Sequence, residues 1–233
     1  SLICGKMGLP DAYGRFNITH LPGLQGLLDE LNIGLTLPEP RYNVAPTEDV
    51  LLLHEGHADF ARWWLVPSWA KKVDMKYSMF NARAESLASS PAIRKPFRSQ
   101  RGIVPMSNFI EWRAESGQKQ PWVITNDEQA IAVAALWDVW HGTEAPLLSC
   151  TLVTTQAAEA FRPWHNRMPV MLAQQERARW LDNTQSIDPD DPILAPVLKY
   201  NLRLYPVSKA VGRSTEKDPE LFEPINDSVI LKA

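Results

Sequence analysis

Residues 121–137 read PWVITNDEQAIAVAALW and include the longest apolar run of the sequence, 130–137. Two apolar runs, 121–125 and 130–137, flank a polar segment that starts with Asn126 and Asp127, a pair typical of turns. The pattern predicts two strands joined as a hairpin. The longer run is far short of the roughly 20 apolar residues that span a bilayer, so we interpret it as a buried strand.

The segments on either side are also short and strand-like. We expect strands in VLLLH (50–54) and DFARWWLVPSW (59–69), joined by a Glu55-Gly56 turn, in the broken strand GIVPMSNFIEWR (102–113), in LLSCTLVTT (147–155) and in NLRLYPVSKAVG (201–212), which ends in a turn. Helices are predicted around 24–31, 156–161, 173–181 and 193–198, and a proline-punctuated loop at 37–49. These elements predict an α+β fold: a single compact, β-dominated, barrel-like domain over residues 1–233 with peripheral helices.

Composition narrows the classes of function. The chain has 233 residues with 19 prolines and nine tryptophans, which favours many turns and aromatic side chains that line a surface or cleft. Its two cysteines form no CxxC pair, and Cys150 lies in an apolar run as a core residue, so neither a disulfide framework nor a zinc cluster is expected. No GxGxxG, GxxxxGK[ST], HExxH or GxSxG motif occurs, and we expect no metal and no organic cofactor. With no signal peptide pattern and no membrane segment, we expect a cytoplasmic protein.

Charge is segregated along the chain. The formal net charge is −3, which argues against general binding of polyanions. Residues 94–119 nevertheless carry six basic and two acidic side chains, whereas 215–228 carry five acids and only Lys217. A local basic surface of this kind can bind nucleic acid at one face, although most such segments are simply solvated.

Three polar residues interrupt apolar surroundings in distant segments. Glu111 lies between Ile110 and Trp112, where desolvation would raise the pKa of its carboxyl toward neutrality and suit it to proton transfer. His165 follows a tryptophan in a turn, and Asn81 follows two apolar residues. Each also has an ordinary structural interpretation: a surface carboxylate, a structural histidine and a turn-forming amide.

The motifs around these residues resemble a known family in their order. RYNVAPT (41–47), WWLVPSW (63–69), FNARAES (80–86), FIEWR (109–113), HNRMPVML (165–172) and YPVSKAVG (205–212) follow the order of the SRAP family, the SOS response-associated peptidases, understood as abasic-site processing proteins. The resemblance covers about residues 14–212 and implies one compact domain with a positively charged channel for single-stranded DNA.

The resemblance also implies roles for individual residues. An N-terminal cysteine would condense with the ring-opened aldehyde of an abasic site to form a thiazolidine crosslink, with autopeptidase and lyase activity as further possibilities. Asn81 would orient the amine and the sugar, Glu111 would shuttle protons, and His165 would act as acid and base. Phosphates would contact Arg15, Arg83 and Arg167, and bases would stack on Trp112 and on the segment 63–69, Trp69 included. The expected partner is single-stranded DNA with abasic sites, bound by a monomer that associates with the nucleoid during DNA damage.

The N-terminus departs from the family pattern of Cys-Gly-Arg followed by an aromatic residue. In YGRF (13–16) Tyr13 stands at the nucleophile position, and residues 1–13 form an atypical extension. The other candidate is Cys4 in CGKM (4–7), which needs the removal or absence of Ser1–Ile3 to gain a free α-amine. Three hypotheses stay open: Cys4 as nucleophile, a crosslinking-deficient homologue that binds single-stranded DNA, and a protease acting in trans, which the lack of a Ser-His-Asp pattern disfavours.

Overall fold

The computed structural model of the chain describes residues 14–19, 22–142 and 145–233. The strands of this part of the chain are β1 (Arg15–Ile18), β2 (Arg41–Val44), β3 (Asp49–His54), β4 (His57–Trp63), β5 (Asn81–Arg83), β6 (Arg101–Met106), β7 (Asn108–Glu115), β8 (Gln118–Thr125), β9 (Ile131–Trp140), β10 (Leu147–Gln156), β11 (Arg167–Pro169), β12 (Leu202–Pro206) and β13 (Val229–Leu231). The α-helices are α1 (Pro22–Glu30), α2 (Arg94–Ser99) and α3 (Gln174–Leu181). Short 3₁₀ turns occur at Ala84–Ser86, Glu159–Phe161, Pro192–Leu194, Lys209–Gly212 and Pro219–Phe222.

Five of the strands close into a barrel. The order β10-β4-β3-β6-β9 returns to β10 through the β9–β10 pairing, so each of these strands has two neighbours. Closure removes the free edges that an open sheet would expose. The pairing of β10 with β4 is parallel and involves Ser149 and Cys150. The later residues of β10 pair instead with the short strands β5 and β11. The β-dominated, barrel-like α+β fold expected from the sequence is confirmed.

The second sheet has the order β13-β12-β8-β7-β1-β2 and is antiparallel throughout. Its central hairpin is β7–β8, whose turn residues Ser116 and Gly117 have φ values of 48° and 76°. Both residues therefore adopt the left-handed conformation that favours a two-residue hairpin turn. This hairpin carries Glu111.

The hairpin predicted over 121–137 is wrong, although both of its strands exist. β8 pairs with β7 and β12 in one sheet, whereas β9 pairs with β6 and β10 in the barrel. The Asn126 side-chain carbonyl accepts the backbone N–H groups of Glu128 and Gln129, and this turn sends the chain from one sheet to the other. Apolar runs show that both strands are buried but do not show which strands they pair with.

Other local predictions hold in part. The Glu55-Gly56 turn between β3 and β4 is confirmed, with φ values of 50° and 80°. The loop predicted at 37–49 contains β2, and the helices predicted at 156–161 and 193–198 are single 3₁₀ turns. Cys150 is fully buried, and this burial raises the pKa of its thiol well above the ordinary value, as expected for a core residue rather than a nucleophile.

Within the described residues, no helix is both long and apolar enough to cross a membrane. The predicted cytoplasmic location stays a prediction.

Candidate functional site

Glu111 and His165, from distant segments, lie side by side. His165 Nδ1 is 3.8 Å from Glu111 Oε2, and the side chains of His165 and Glu111 are only 13% and 4% exposed, respectively. Glu111 is held by β7, and His165 belongs to the turn that leads into β11. A shielded carboxylate at this distance can hold an imidazolium, and a proton can pass between the two groups once they close to about 3 Å or through one bridging water.

The backbone of Arg167 orients the imidazole ring. Its N–H donates to His165 Nδ1 over 3.0 Å, which requires a lone pair on Nδ1 and places the ring proton on Nε2 in the neutral form. The Arg167 carbonyl oxygen is 3.2 Å from the same nitrogen and can accept if Nδ1 becomes protonated. Small shifts of the ring therefore accommodate both protonation states.

Asn81 lies on a cleft that also contains the Arg167 side chain. The cleft has a volume of about 320 Å³ and is lined by Asn81, Arg83, Thr154 and Arg167 together with serines 78, 86 and 90. β10 organises this region, because Leu152 pairs with Asn81 on one side and Gln156 pairs with Arg167 on the other. Arg167 thus links the two halves of the site, since its side chain lines the cleft and its backbone holds His165.

The arginines predicted to bind phosphate occupy different environments. Arg83 is exposed at the mouth of the cleft. Arg167 is buried and forms a two-pronged contact with Glu85, with both N–O distances at 3.0 Å, and also donates to Thr154. Sequence reasoning missed Glu85 and Thr154 as residues of the site, although Glu85 belongs to the motif FNARAES (80–86). Phosphate binding by either arginine stays a prediction.

The Glu85–Arg167 contact gives stability a specific pH dependence. Burial alone would raise the pKa of Glu85, but the hydrogen bonds from Arg167 and from a backbone N–H, together with the positive charges of Arg167 and Arg83, outweigh burial and hold the pKa of Glu85 below its ordinary value. A carboxyl whose pKa is lowered by folding stabilises the protein above its unfolded-state pKa, and this stabilisation is lost as pH falls through the lowered value.

We expect Glu85→Gln to reduce the free energy of unfolding at neutral pH by about 1 kcal/mol or less, because the Glu85 side chain is 46% exposed and the contact is partly screened. The difference from the unmodified chain should shrink as the pH is lowered through the acid range. Urea unfolding at a series of pH values measures it, with the exposed Glu159→Gln as the matched control. A difference in the free energy of unfolding between Glu85→Gln and the unmodified chain that stays constant or widens in acid would contradict a stabilising Glu85–Arg167 contact.

Arg15 is buried in β1 rather than exposed. Its guanidinium donates to the carbonyl oxygens of Val211 and Gly212 at 2.9 and 3.0 Å and to Asn43 Oδ1 at 3.1 Å. It also lies 5.4 Å from the centre of the Trp112 ring. These contacts tie the 3₁₀ turn Lys209–Gly212 to the second sheet, which favours a structural role; contact with phosphate stays a prediction.

The tryptophans divide into core and surface groups. The stacking surface predicted for the segment 63–69 is wrong at Trp63 and Trp64, which are buried in the core, where Trp63 Nε1 donates to the carbonyl of Phe80 at 2.9 Å. Burial of these rings stabilises the barrel wall and leaves no face for a base. Trp69 is 65% exposed and Trp112 is half-buried, so both keep accessible surface.

A cation–aromatic cluster next to His165 was not anticipated. Arg113 lies 4.8 Å from the Trp164 ring centre and 5.8 Å from that of Trp122, and the two rings meet edge to face at 5.6 Å. No local pattern signals this cluster, because Arg113, Trp122 and Trp164 come from β7, β8 and the turn before β11.

The β1–β7 register brings the start of the described chain to this site. Arg15 pairs with Ile110 and Phe16 with Phe109, so extending the antiparallel register by one residue sets Gly14 opposite Glu111. The chain therefore enters the second sheet beside the Glu111–His165 pair. Cys4 and Tyr13, the two candidates for the nucleophile position, lie outside the described residues.

Comparison with known proteins gives a consistent result. The family model described as SOS response associated peptidase (SRAP) matches residues 14–214. The abasic site processing protein YoqW of Bacillus subtilis is 36% identical over 223 residues, covering 90% of this chain and 98% of that protein. The abasic site processing protein YedK of Escherichia coli is 32% identical over 199 residues, covering 81% and 87% of the two chains.

Solved structures share the fold at lower sequence identity. A crystal structure of a protein from Bacteroides thetaiotaomicron matches with a TM-score of 0.77 and 20% identity, covering 91% of this chain and all of that one. A protein from Bordetella bronchiseptica matches with a TM-score of 0.69 and 21% identity over 84% and 99% of the two chains. Since the family model spans most of the described residues and the YoqW match extends over nearly the whole relative, the chain belongs to the SOS response associated peptidase (SRAP) family.

Proposed function

We propose that this protein processes abasic sites in single-stranded DNA and captures them as a covalent crosslink through an N-terminal cysteine. The observation that carries the proposal is the entry of β1 beside the buried Glu111–His165 pair, because a nucleophile near the chain start needs proton-transfer groups within reach. The printed names of the relatives, abasic site processing proteins, support the same substrate.

The chemistry follows from the two nucleophiles of an N-terminal cysteine. The neutral α-amine adds to the C1′ aldehyde of the ring-opened sugar, and loss of one water gives a Schiff base. The thiol sulfur then adds to the imine carbon and its proton passes to the nitrogen, which closes a five-membered thiazolidine ring. One water leaves overall, and no oxidant or reductant is consumed.

The described residues supply the proton transfers and the positioning. Glu111 would take a proton as the amine adds and return it as water leaves, with His165 as its 3.8 Å partner. Asn81 would hold the sugar from the cleft side. From the Schiff base, removal of a C2′ proton by His165 would expel the 3′ phosphate, which is the lyase reaction that the family resemblance suggests.

The cleft and its surroundings would hold the DNA strand. Arg83 is exposed at the cleft and can bind a phosphate oxygen. Arg167 lies in the cleft lining, but its Nε has almost no accessible surface and its guanidinium is held by Glu85 and Thr154, so it would reach a phosphate only if Glu85 moved away. Arg15 would support Trp112 beneath the strand, and Trp69 offers an exposed ring on which a base can stack. None of these contacts reads base identity, which suits a protein that must act at any sequence.

Whether Cys4 has a free α-amine distinguishes two versions of the function, covalent crosslinking and non-covalent DNA binding. Cys4 can close the thiazolidine only if Ser1–Ile3 are removed, because otherwise its nitrogen is an amide. An uncleaved chain could form only a reversible hemithioacetal and would act as a binding module for single-stranded DNA. Mass spectrometry of the protein from its native host distinguishes these states by reading the first residue.

Incubation with a single-stranded oligonucleotide that carries one abasic site tests the proposal directly. We expect a product that survives denaturing electrophoresis on the abasic strand and not on the intact one, lost in Cys4→Ala and kept in the matched control Cys150→Ala, whose thiol is buried. Crosslinking that is unchanged in Cys4→Ala would remove Cys4 as the nucleophile. Binding that weakens steeply with salt and yields no covalent product would favour the binding module.

A further inference from the structure

The β3–β4 hairpin carries a cluster of metal-ligating side chains far from Glu111 and His165. His54, His57 and Asp59 each offer one ligand atom, and these atoms lie within 4.8 Å of one another. β4 runs parallel to β10 with Arg62 level with Ser149, which sets Asp59 about eight residues before Thr154 of the cleft. At about 3.3 Å per residue the separation is roughly 26 Å along the strand, so this cluster is distinct from the site already described.

The strand register puts the three side chains on one face. His54 pairs directly with His57 across the Glu55-Gly56 turn, and Leu52 pairs with Asp59. Directly opposed residues, and residues two apart on one strand, point to the same side of a sheet. The cluster is therefore fixed by a tight turn rather than by flexible surface side chains.

The hydrogen bonds of His57 leave a lone pair aimed at a carboxylate. Its Nδ1 is 3.1 Å from the backbone carbonyl of Glu55, which can only accept, so Nδ1 carries the ring proton. In the neutral ring Nε2 then presents a lone pair to Asp59 Oδ2 at 3.0 Å. Two lone pairs at this distance repel each other unless a cation lies between them, and that cation is either a second proton on the ring or a metal ion.

His54 completes the donor set from the buried side. Its Nε2 is 2.8 Å from the same Asp59 oxygen, and its side chain is only 6% exposed, with its ring centre 4.8 Å from that of Trp137. If Nε2 binds a metal, Nδ1 must carry the proton. Nδ1 has no hydrogen-bond partner among the described residues, and the Glu55 carboxylate lies 3.8 Å away, close enough to accept after a small rotation.

We propose that His54, His57 and Asp59 bind a divalent transition metal, with zinc as the best match to two imidazole nitrogens and one carboxylate. Histidines that bind metal through one nitrogen usually donate the other N–H to a carbonyl or carboxylate, as Glu55 allows for both rings here. Ligand bonds of about 2.0–2.1 Å in a tetrahedron separate the ligand atoms by about 3.3 Å, so the 2.8 and 3.0 Å contacts to Asp59 need to open by a few tenths of an ångström. The separation of the two histidine nitrogens, at most 4.8 Å, needs to close by no more than about 1.5 Å. The fourth position remains for water or another ligand.

The test uses the full chain without a histidine tag, stripped with a chelator and treated with a thiol-alkylating reagent so that cysteine thiolates do not compete for the metal. Titration with Co²⁺ reports binding through its visible absorption, and competition then gives the affinity for Zn²⁺. We expect one equivalent bound in the micromolar range or tighter, and at least tenfold weaker binding in His57→Ala. His141→Ala, which removes an exposed histidine elsewhere, should bind like the unmodified chain.

Two outcomes would overturn the proposal. Equal binding by the unmodified chain and His57→Ala would place the metal elsewhere, and no binding of Co²⁺ or Zn²⁺ at 1 mM would show that a proton fills the gap instead. His57 is exposed, so its replacement should leave the barrel folded, which circular dichroism checks. Asp59→Asn, which retains size but removes the charge, should weaken binding in the same way and keeps the test valid should His57→Ala fail to fold.

Discussion

Replacing Glu111 with glutamine is expected to slow crosslinking to abasic single-stranded DNA by at least about 10²-fold, because proton transfer by a positioned side chain typically contributes 10²–10⁴ in rate. Glutamine keeps the shape of the side chain but can neither accept a proton nor balance a positive charge on His165, whose Nδ1 is 3.8 Å away. The rate of adduct formation, followed on denaturing gels under single-turnover conditions, measures the effect.

A second measurement, the affinity for an intact strand, distinguishes a proton-transfer role of Glu111 from a packing role. If Glu111 acts in the reaction, affinity for an intact strand, measured by fluorescence anisotropy, should change less than about threefold while the rate falls. Glu115→Gln removes a more exposed carboxylate of the same strand and should react at the normal rate, since glutamine can still accept the hydrogen bond from Trp122 Nε1. A Glu111→Gln variant that crosslinks at the rate of Glu115→Gln would exclude Glu111 from the chemistry.

The elements of the fold could be predicted from the sequence far better than their partners could. Apolar runs and turn residues located β3, β4, β8, β9 and β10, because burial and turn chemistry are local properties. The pairing of β9 with β6 and β10 depends on closure of the barrel, which no local pattern encodes. β2 was hidden among prolines, since a four-residue strand is specified by its pairing with β1 rather than by its own composition.

The sequence located residues of the candidate site but not their geometry, and their chemistry stays a prediction. A carboxylate between Ile110 and Trp112 stood out because local sequence shows desolvation, and the structure buries Glu111 beside His165. The partnership of Arg167 with Glu85 could not be foreseen, because it joins residues that are 82 positions apart. The identity of the nucleophile depends on residues 1–13, which lie outside the described part of the chain.

Arginine gave the least reliable signal in the sequence. The basic segment 94–119 predicted a charged surface, yet Arg101 within it is completely buried. From the sequence alone, a charged side chain is predicted to be exposed unless a partner of opposite charge can be identified. The partners of Arg101 are backbone carbonyl oxygens, which every residue has and which therefore give no signal in the sequence. Arg98 of the same segment is exposed, so the prediction holds for one arginine and is wrong for its neighbour three positions on.

Replacing Arg101 with methionine is expected to reduce the free energy of unfolding by about 3 kcal/mol or more, because several shielded carbonyl oxygens lose their donor and each unsatisfied buried polar group costs about 1–3 kcal/mol. The five N–H groups of Arg101 have five acceptors: the carbonyl oxygens of Trp180, Phe97, Arg98, Asp182 and Gln185, at 2.6–3.2 Å. These bonds join α2, β6, α3 and the loop after α3. Burial lowers the pKa of the guanidinium, which is a cost of the arrangement, but arginine stays charged at any working pH.

Methionine fills the volume but leaves several shielded carbonyls without a donor, and this is why the variant should not behave like a neutral hydrophobic replacement. Urea unfolding measures the loss against Arg98→Met, which removes an exposed arginine from α2 and should change stability by less than about 0.5 kcal/mol. Arg101→Lys should also destabilise the protein, because an ammonium has three donors and cannot reach all five carbonyls. A typical domain has only about 5–15 kcal/mol of stability, so insoluble expression of Arg101→Met would agree with a stabilising role for the Arg101 hydrogen bonds. A urea midpoint equal to that of Arg98→Met would refute this role.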